Sequence, residues 1–168
     1  ELEKKYKIIG LVDDKKKIKN SKYKILGNDK NLKFLLTKSK FAHISIGQID
    51  NVKKREEIFL NLKKIGFKIP SIISPLAYVS PKAKIGEGTI VMHGAIINRG
   101  AVIGKNCIVN TKALIEHDTF VGDNCHVSTR STLNGGVILG NNSFIGSHAI
   151  LKQNIEVGKN CFVNANLF

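Results

Sequence analysis

Aliphatic residues recur at every sixth position from Ile73 to the end of the chain. Ile, Val or Leu fills this position in sixteen consecutive hexapeptides: Ile73, Val79, Ile85, Val91, Ile97, Ile103, Val109, Ile115, Val121, Val127, Leu133, Leu139, Ile145, Leu151, Val157 and Val163. Four residues later comes a second position that is mostly Ala, Ser, Thr or Cys. An α-helix has a period of about 3.6 residues and a half-buried strand one of about 2, so neither produces this pattern. The spacing predicts a unit of one short strand and one turn, with one large and one small side chain facing inward.

This pattern resembles that of the hexapeptide-repeat proteins, and it covers residues 73–168 without a break. The resemblance implies a mostly β fold, a left-handed parallel β-helix with about 18 residues, or three hexapeptides, in each coil. We therefore expect about five coils. Cys107, Cys125 and Cys161 all fall on the small inward position, so we expect them to fill space, without a metal ion or a disulfide.

Residues 1–72 have a different pattern. "YKIIGLV" and "FAHISIG" are short apolar runs that suit buried parallel strands. "NVKKREEIFLNLKKIG" predicts a helix that begins after a capping Asn51 and stops at Gly66. Pro70 and Pro75 mark the passage to the repeats. We predict a small α/β domain over residues 1–72 and a β-helix over residues 73–168.

The net charge of +14 is concentrated before the repeats, where 19 of the 27 Lys and Arg residues and 8 of the 13 Asp and Glu residues lie. This part has no recognition-helix or zinc-finger signature, so we predict no nucleic-acid partner. The lysines form either a solvated face or a field that attracts small polyanions such as nucleotides and coenzyme A. No apolar run approaches the roughly 20 residues of a membrane span, and no signal peptide is recognisable, so we predict a cytoplasmic protein with no membrane partner.

The coil geometry predicts where His117 points. Residues 18 positions apart are stacked neighbours, which places Arg99, His117 and Gly135 in one column. His117 stands at the third place of its hexapeptide, away from both inward positions, so we expect its side chain to face outward. Gly135 and Gly136 follow one coil later and would leave a notch beside the imidazole for a thin ligand, unless they are ordinary corner glycines.

Two stretches before the repeats, "GLVDDK" and "IGQIDNVKKR", resemble the nucleotide-sugar-binding domain of the sialic-acid O-acetyltransferase and UDP-amino-sugar N-acetyltransferase family. That family opens with a strand and a glycine-rich loop that are missing here, so we expect an N-terminally truncated domain. The resemblance implies nucleotide-sugar contacts by Asp13, Asp14, Gly47 and Arg55. Roles as strand-end acids and a turn glycine remain the alternative.

The segment "NTKALIEHDTFVGDNCHVSTRSTLNGG" is similar to the active-site segment of the amino-sugar N-acetyltransferases of that family. The resemblance implies that His117 is the general base, Asp118 its acidic partner and Asn110 a supporting residue. It also implies acetyl-CoA contacts by His126 and Gly135, to which we add Gly136, Gly146 and Ser147. Imidazole can accept a proton near neutral pH, and a neighbouring carboxylate fixes its tautomer. Glu116 competes with Asp118 for that role, and either His126 or a backbone N–H would stabilise the oxyanion.

Nine residues separate His117 from His126, which is half a coil, so the two side chains lie on opposite sides of one chain. They could meet across an interface. We therefore predict a homotrimer with active sites between subunits, as is typical of hexapeptide acyltransferases.

The predicted function is transfer of acetyl from acetyl-CoA, with no metal, to the amino group of a UDP-linked amino sugar. O-acetylation of sialic acid is one alternative, and a non-catalytic hexapeptide scaffold is another. A zinc hydratase resembling γ-carbonic anhydrase would need three converging histidines, and His93, His117, His126 and His148 do not have that spacing. We expect His43, His93 and His148 to be structural or surface residues.

Overall fold

The structure, a computed structural model, describes residues 6–14, 21–49 and 52–167. Its strands are β1 (Leu11–Val12), β2 (Ile25–Gly27), β3 (Ile72–Ile73), β4 (Tyr78–Val79), β5 (Lys84–Ile85), β6 (Ile90–Val91), β7 (Ile96–Ile97), β8 (Val102–Ile103), β9 (Ile108–Val109), β10 (Leu114–Ile115), β11 (Phe120–Val121), β12 (His126–Val127), β13 (Thr132–Leu133), β14 (Ile138–Leu139), β15 (Phe144–Ile145), β16 (Ile150–Leu151), β17 (Glu156–Val157) and β18 (Phe162–Val163). Its helices are α1 (Leu32–Leu35) and α2 (Lys53–Ile65), and a 3-10 turn spans Asp29–Asn31.

Strands β3 to β18 form three parallel sheets that wrap around one axis. The first sheet has the order β16-β13-β10-β7-β4, the second β17-β14-β11-β8-β5 and the third β18-β15-β12-β9-β6-β3. Leu114 pairs with Ile96 on one side and with Thr132 on the other, so stacked residues of successive coils are 18 positions apart. The predicted left-handed parallel β-helix is confirmed.

The large inward residues fill the interior of the β-helix. Ile97, Ile115 and Leu133 have no exposed surface, and each contributes roughly 1.5–3 kcal/mol through burial. The interior is open at the first coil, where Ile73 on β3 is 43% exposed. Cys107 and Cys125 are buried at the small inward position, as predicted, and Cys161 is half-buried near the last coil; all three are free thiols.

Each hexapeptide ends in a corner. From Gly88 onward, every sixth residue of the chain lies at a corner and has positive φ. The residues with positive φ in the coils are Gly88, Gly94, Gly100, Asn106, Lys112, Asp118, Asn124, Arg130, Gly136, Asn142, His148, Asn154, Asn160 and Asn166. Asn and Asp adopt this left-handed conformation more readily than most residues, which accounts for their frequency. The corner that carries residues 116–118 joins β10 of the first sheet to β11 of the second.

Before the coils, β1 and β2 pair in parallel, and α2 ends at Gly66 with a φ of 111°, as predicted. Asn51, the predicted helix cap, lies outside the described residues. The predicted strand "FAHISIG" is wrong, because only Phe41 forms a bridge, to Lys68. The physical reason is that the carbonyls of Ile44 and Ile46 accept hydrogen bonds from the Arg55 side chain rather than from another strand.

The part before the coils packs, through polar contacts, on the corners between the second and third sheets of the β-helix. Gln48 Nε2 donates to the Asn124 carbonyl at 2.7 Å, and Asn124 Nδ2 donates to Glu56 at 3.0 Å. Lys63 forms an ion pair with Glu87 at 2.7 Å. These contacts hold α2 against the coils. Among the described residues, no helix has the length and apolar character that crossing a membrane requires.

Candidate active site

His117 faces outward from the corner between β10 and β11. The residues on either side of this corner, Ile115 and Thr119, point inward and are buried. The three residues between them are therefore turned away from the axis, and 57% of the His117 side chain is exposed. The column predicted from the sequence is present, because Asp118 N–H donates to the Arg99 carbonyl and Gly136 N–H donates to the His117 carbonyl.

Asp118 is the acidic partner of the imidazole. Its Oδ2 lies 3.0 Å from His117 Nδ1. Since a carboxylate only accepts hydrogen bonds, Nδ1 carries a proton, and the tautomer with this proton has its lone pair on Nε2. Glu116 is bound elsewhere: its Oε2 accepts from Asn98 Nδ2 at 2.9 Å and from the backbone N–H of His117 at 3.3 Å. Of the two acids that the sequence offered, Asp118 contacts the ring and Glu116 holds the backbone of the corner.

The notch predicted at Gly135 and Gly136 is filled. A Cβ on Gly135 would lie 2.7 Å from both Cε1 and Nε2 of His117, so the ring occupies the space that the missing side chain leaves. The space beside Gly136 is taken by the side chain of Asn154. This corrects the expectation of an empty slot for a ligand, and it makes Gly135 a contact of the imidazole.

His126 lies in a second, buried cluster. The side chain is 6% exposed, its Nδ1–H donates to the Gln48 carbonyl, and its Nε2 accepts from Asn110 Nδ2 at 3.1 Å. Phe144 packs edge-on against the ring, with the centroids 5.1 Å apart. Burial lowers the pKa of His126, and the positive charge of Arg55 acts in the same direction against the Gln48 hydrogen bond. The ring is therefore neutral, with both nitrogens engaged.

The structure does not bring the two histidines of one chain together. His126 is on β12 of the third sheet, whereas His117 is on the corner between the first and second sheets. A corner of a triangular cross-section lies opposite the third face, so the two side chains point to opposite sides of the coil. Gln48 is a contact of His126 that sequence reasoning missed. Its position next to the predicted Gly47 was the available signal.

Two residues that we expected to bind ligands, Arg55 and Gly146, are buried and contact only other parts of the chain. Arg55 has no exposed surface and donates to four backbone carbonyls, two of which lie 2.9 and 3.0 Å away, so it is not available to a nucleotide sugar. Gly146 is buried, and the backbone at Asn164 and Ala165 fills the space beside it. The predicted ligand contacts of Arg55 and Gly146 are therefore wrong.

The other predicted contacts are accessible. Asp13 is half-buried and Asp14 exposed, at the end of β1, and Gly47 is exposed with open space around its Cα. Ser147 is half-buried, and its Oγ lies 3.0 Å from the hydroxyl of Ser128.

The remaining histidines are structural or on the surface. His93 Nδ1 lies 2.8 Å from Ser74 Oγ, and His148 is exposed at a corner. Burial, reinforced by the charge of Arg55, lowers the pKa of His43. Among the described residues, no group of three or more His, Cys, Asp or Glu side chains is arranged to hold a metal ion.

Protein families match both parts of the chain. The family described as bacterial transferase hexapeptide (six repeats) matches residues 118–153, and the PglD N-terminal domain matches residues 1–62. None of the curated proteins matches the chain.

Solved structures cover most of the chain. PerB from Caulobacter crescentus, in complex with CoA and GDP-perosamine, is 30% identical over 93% of this chain and 73% of its own, with a TM-score of 0.85. The acetyltransferase domain of PglB from Neisseria gonorrhoeae, in complex with acetyl coenzyme A, is 31% identical over 93% of this chain and 75% of its own, with a TM-score of 0.82. WeeI from Acinetobacter baumannii, 23% identical over 94% of this chain and 75% of its own, shares the fold with a TM-score of 0.78.

The chain belongs to the hexapeptide-repeat sugar acetyltransferase family. The predicted family and the predicted enzyme class, an acetyl-CoA-dependent acyltransferase, are confirmed by these matches.

Proposed function

We propose that the protein transfers acetyl from acetyl-CoA to the amino group of a nucleotide-linked amino sugar, with His117 as the general base. The observation that carries this proposal is the outward His117–Asp118 pair, in which Nδ1 is bound at 3.0 Å. Our sequence-based prediction names UDP as the nucleotide. The complex of PerB with GDP-perosamine makes GDP the alternative.

The proposed reaction is a direct transfer. Nε2 of His117 takes the proton of the amine as the amine nitrogen attacks the thioester carbonyl carbon. The tetrahedral intermediate then collapses, the carbon–sulfur bond breaks, and the CoA thiolate leaves with the proton from the imidazolium. Asp118 stabilises the charged ring during these steps by accepting from Nδ1–H. The products are the N-acetylated sugar and CoA.

The oxyanion of the intermediate needs a hydrogen-bond donor. Both nitrogens of His126 are engaged by Gln48 and Asn110, which argues against a direct contact between its ring and the thioester. Among the described residues, none accepts a hydrogen bond from the backbone N–H of Gly135. We assign this N–H as the oxyanion donor, because Gly135 lies directly beside the imidazole.

The remaining contacts are divided between the two parts of the chain. We assign Ser147 to acetyl-CoA, and Asp13, Asp14 and Gly47 to the nucleotide sugar. His126 and Asn110 keep a supporting role, because they fix the carbonyl of Gln48 next to the exposed Gly47.

The proposed assembly is a homotrimer with sites shared between subunits. Apolar side chains are exposed on both sheets that meet at the His117 corner: Tyr78 and Ile150 on the first (56% and 39% exposed), Phe120 and Ile138 on the second (46% and 45%). On the third sheet the part of the chain before the coils buries Ile108 and His126 near the middle, while Phe162 near the end is 52% exposed. Exposed apolar faces of this kind favour association with further copies. The molar mass in solution, from light scattering at several concentrations, tests the assembly.

The assay follows CoA release with UDP- and GDP-linked amino sugars and with free sialic acid as acceptors. We expect His117→Ala to lower kcat by roughly 10²- to 10⁴-fold and to leave the melting temperature unchanged. His148→Ala is the matched control, because it removes another exposed corner histidine. Equal activity of His117→Ala and the wild type would reject His117 as the base. If only sialic acid is acetylated, the proposed N-acetylation is wrong and the enzyme is an O-acetyltransferase.

A further inference from the structure

Gly135 is the one glycine at its place in the repeat. The place two residues after the large aliphatic residue is filled by Pro75, Pro81, Glu87, His93, Arg99, Lys105, Thr111, His117, Asp123, Thr129, Gly135, Asn141, Ser147, Gln153, Lys159 and Ala165. Side chains of every size are accepted there, from Ala to Arg. The coil itself therefore does not require glycine at this place.

The backbone of Gly135 gives no reason for a glycine either. Its φ lies outside the left-handed region, whereas that of the neighbouring Gly136 is 68°. An alanine at position 135 would therefore be free of backbone strain. The reason for a glycine must come from what lies beside it.

What lies beside Gly135 is the imidazole of His117. A Cβ there would be 2.7 Å from Cε1 and Nε2 and 3.3 Å from Cδ2, whereas carbon atoms in contact prefer about 3.5–4.0 Å. The edge of the ring that carries Nε2 thus rests on the backbone of the next coil. Asp118 holds the opposite nitrogen, Nδ1. The hydrogen bond to Asp118 and the packing against the Gly135 backbone thus act on opposite edges of the ring.

We propose that Gly135 is a positioning residue for His117: the missing side chain lets the imidazole lie against the next coil with Nε2 beside the Gly135 backbone. The proposal rests on the proposed function, in which Nε2 is the base. A methyl group at position 135 would push the ring outward and break its alignment with Asp118. Because 57% of the His117 side chain is exposed, the ring can move into solvent without disturbing the core.

The test is Gly135→Ala in the full chain, compared with Gly158→Ala. The control adds the same methyl group to a coil glycine whose Cβ would meet only Cys161 Sγ, at an ordinary 3.6 Å. We expect Gly135→Ala to lower kcat on the order of 10²-fold with a smaller change in the KM for acetyl-CoA, because a displacement of about 1 Å costs that much. The Cε1–H signal of His117 in a ¹H–¹³C NMR spectrum should shift, while that of His148 stays in place. Gly158→Ala should change neither kcat nor the His117 signal.

The NMR comparison separates this proposal from the proposed function. If the wild type acetylates none of the sugars, the proposed function fails, and a shifted His117 signal in Gly135→Ala still supports the contact. If the His117 signal is unchanged, the proposal is overturned whatever the effect on kcat. Should Gly135→Ala fold poorly, the same change is made in His117→Ala. We expect the double variant to melt at the same temperature as His117→Ala. If Gly135→Ala lowers the melting temperature equally in the wild type and in His117→Ala, the contact with the ring is contradicted.

Discussion

Arg55→Ala tests how the part of the chain before the coils is held on the β-helix. Arg55 lies on α2 and has no exposed surface, yet no carboxylate neutralises it among the contacts that the structure describes. Its guanidinium donates to Ile44 and Ile46 before the coils and to Gly88 and Asn106 within them. One side chain thus joins three separate segments of the chain.

The expected loss of stability can be worked out from these contacts. The two short hydrogen bonds, at 2.9 and 3.0 Å, contribute about 3–6 kcal/mol together, because the donor is charged. The buried methylene groups add about 2 kcal/mol. Burial opposes this, because it lowers the pKa of Arg55 from 12.5 to about 10, which corresponds to about 3 kcal/mol. We therefore expect Arg55→Ala to destabilise the docked state by about 2–5 kcal/mol.

The assay is amide hydrogen exchange by mass spectrometry together with urea unfolding. We expect faster exchange in α2 and near Ile44, with unchanged protection in β10 to β15. Lys54→Ala is the matched control, because it removes an exposed positive charge from the same helix. If α2 exchanges at the wild-type rate in Arg55→Ala, the buried guanidinium does not hold the two parts together.

Two further predictions concern stability. Burial lowers the pKa of His126 in the folded protein, so the unfolded chain binds a proton first as the pH falls below about 6.5, and stability should drop from there downward. Melting temperatures between about pH 7.5 and 5 should fall less steeply for His126→Gln, and equal slopes would refute a buried neutral ring. Ile115→Ala should cost about 2–5 kcal/mol in urea unfolding, because Ile115 has no exposed surface, whereas Leu60→Ala, at a position 59% exposed, should cost under about 1 kcal/mol.

The β-helix could be predicted from the sequence because each hexapeptide meets the same local requirement. A large residue such as Ile115 and a small one such as Cys125 point inward at fixed places, and the next coil repeats the pattern. The period also predicted the outward direction of the His117 side chain, since this direction depends only on the place in the repeat. The pairing of His117 with Asp118 was expected from the family resemblance, whereas adjacency alone left Glu116 as a rival.

Contacts between distant parts of the chain could not be predicted in this way. The burial of Arg55 depends on carbonyls contributed by four positions, and no local pattern distinguishes it from the exposed Lys54. The same holds for Gln48, which meets His126 from 78 residues away. The prediction of an empty notch at Gly135 was wrong for a related reason: an absent side chain leaves space, but the packing of the neighbouring coil decides which side chain fills it.

The way in which the two parts of the chain pack limits where an active site can form. The part before the coils buries His126 on the third sheet, while the corner at His117 and the two sheets beside it stay open. In a closed ring of identical copies, each subunit presents one surface to one neighbour and a different surface to the other. The His117 corner of one copy would then face the side of the next copy on which Gly47 lies next to the sealed His126. If His117 is the base and Gly47 contacts the substrate, as proposed, one site can contain both only when two copies contribute to it, because one chain alone holds them on opposite sides of the coil.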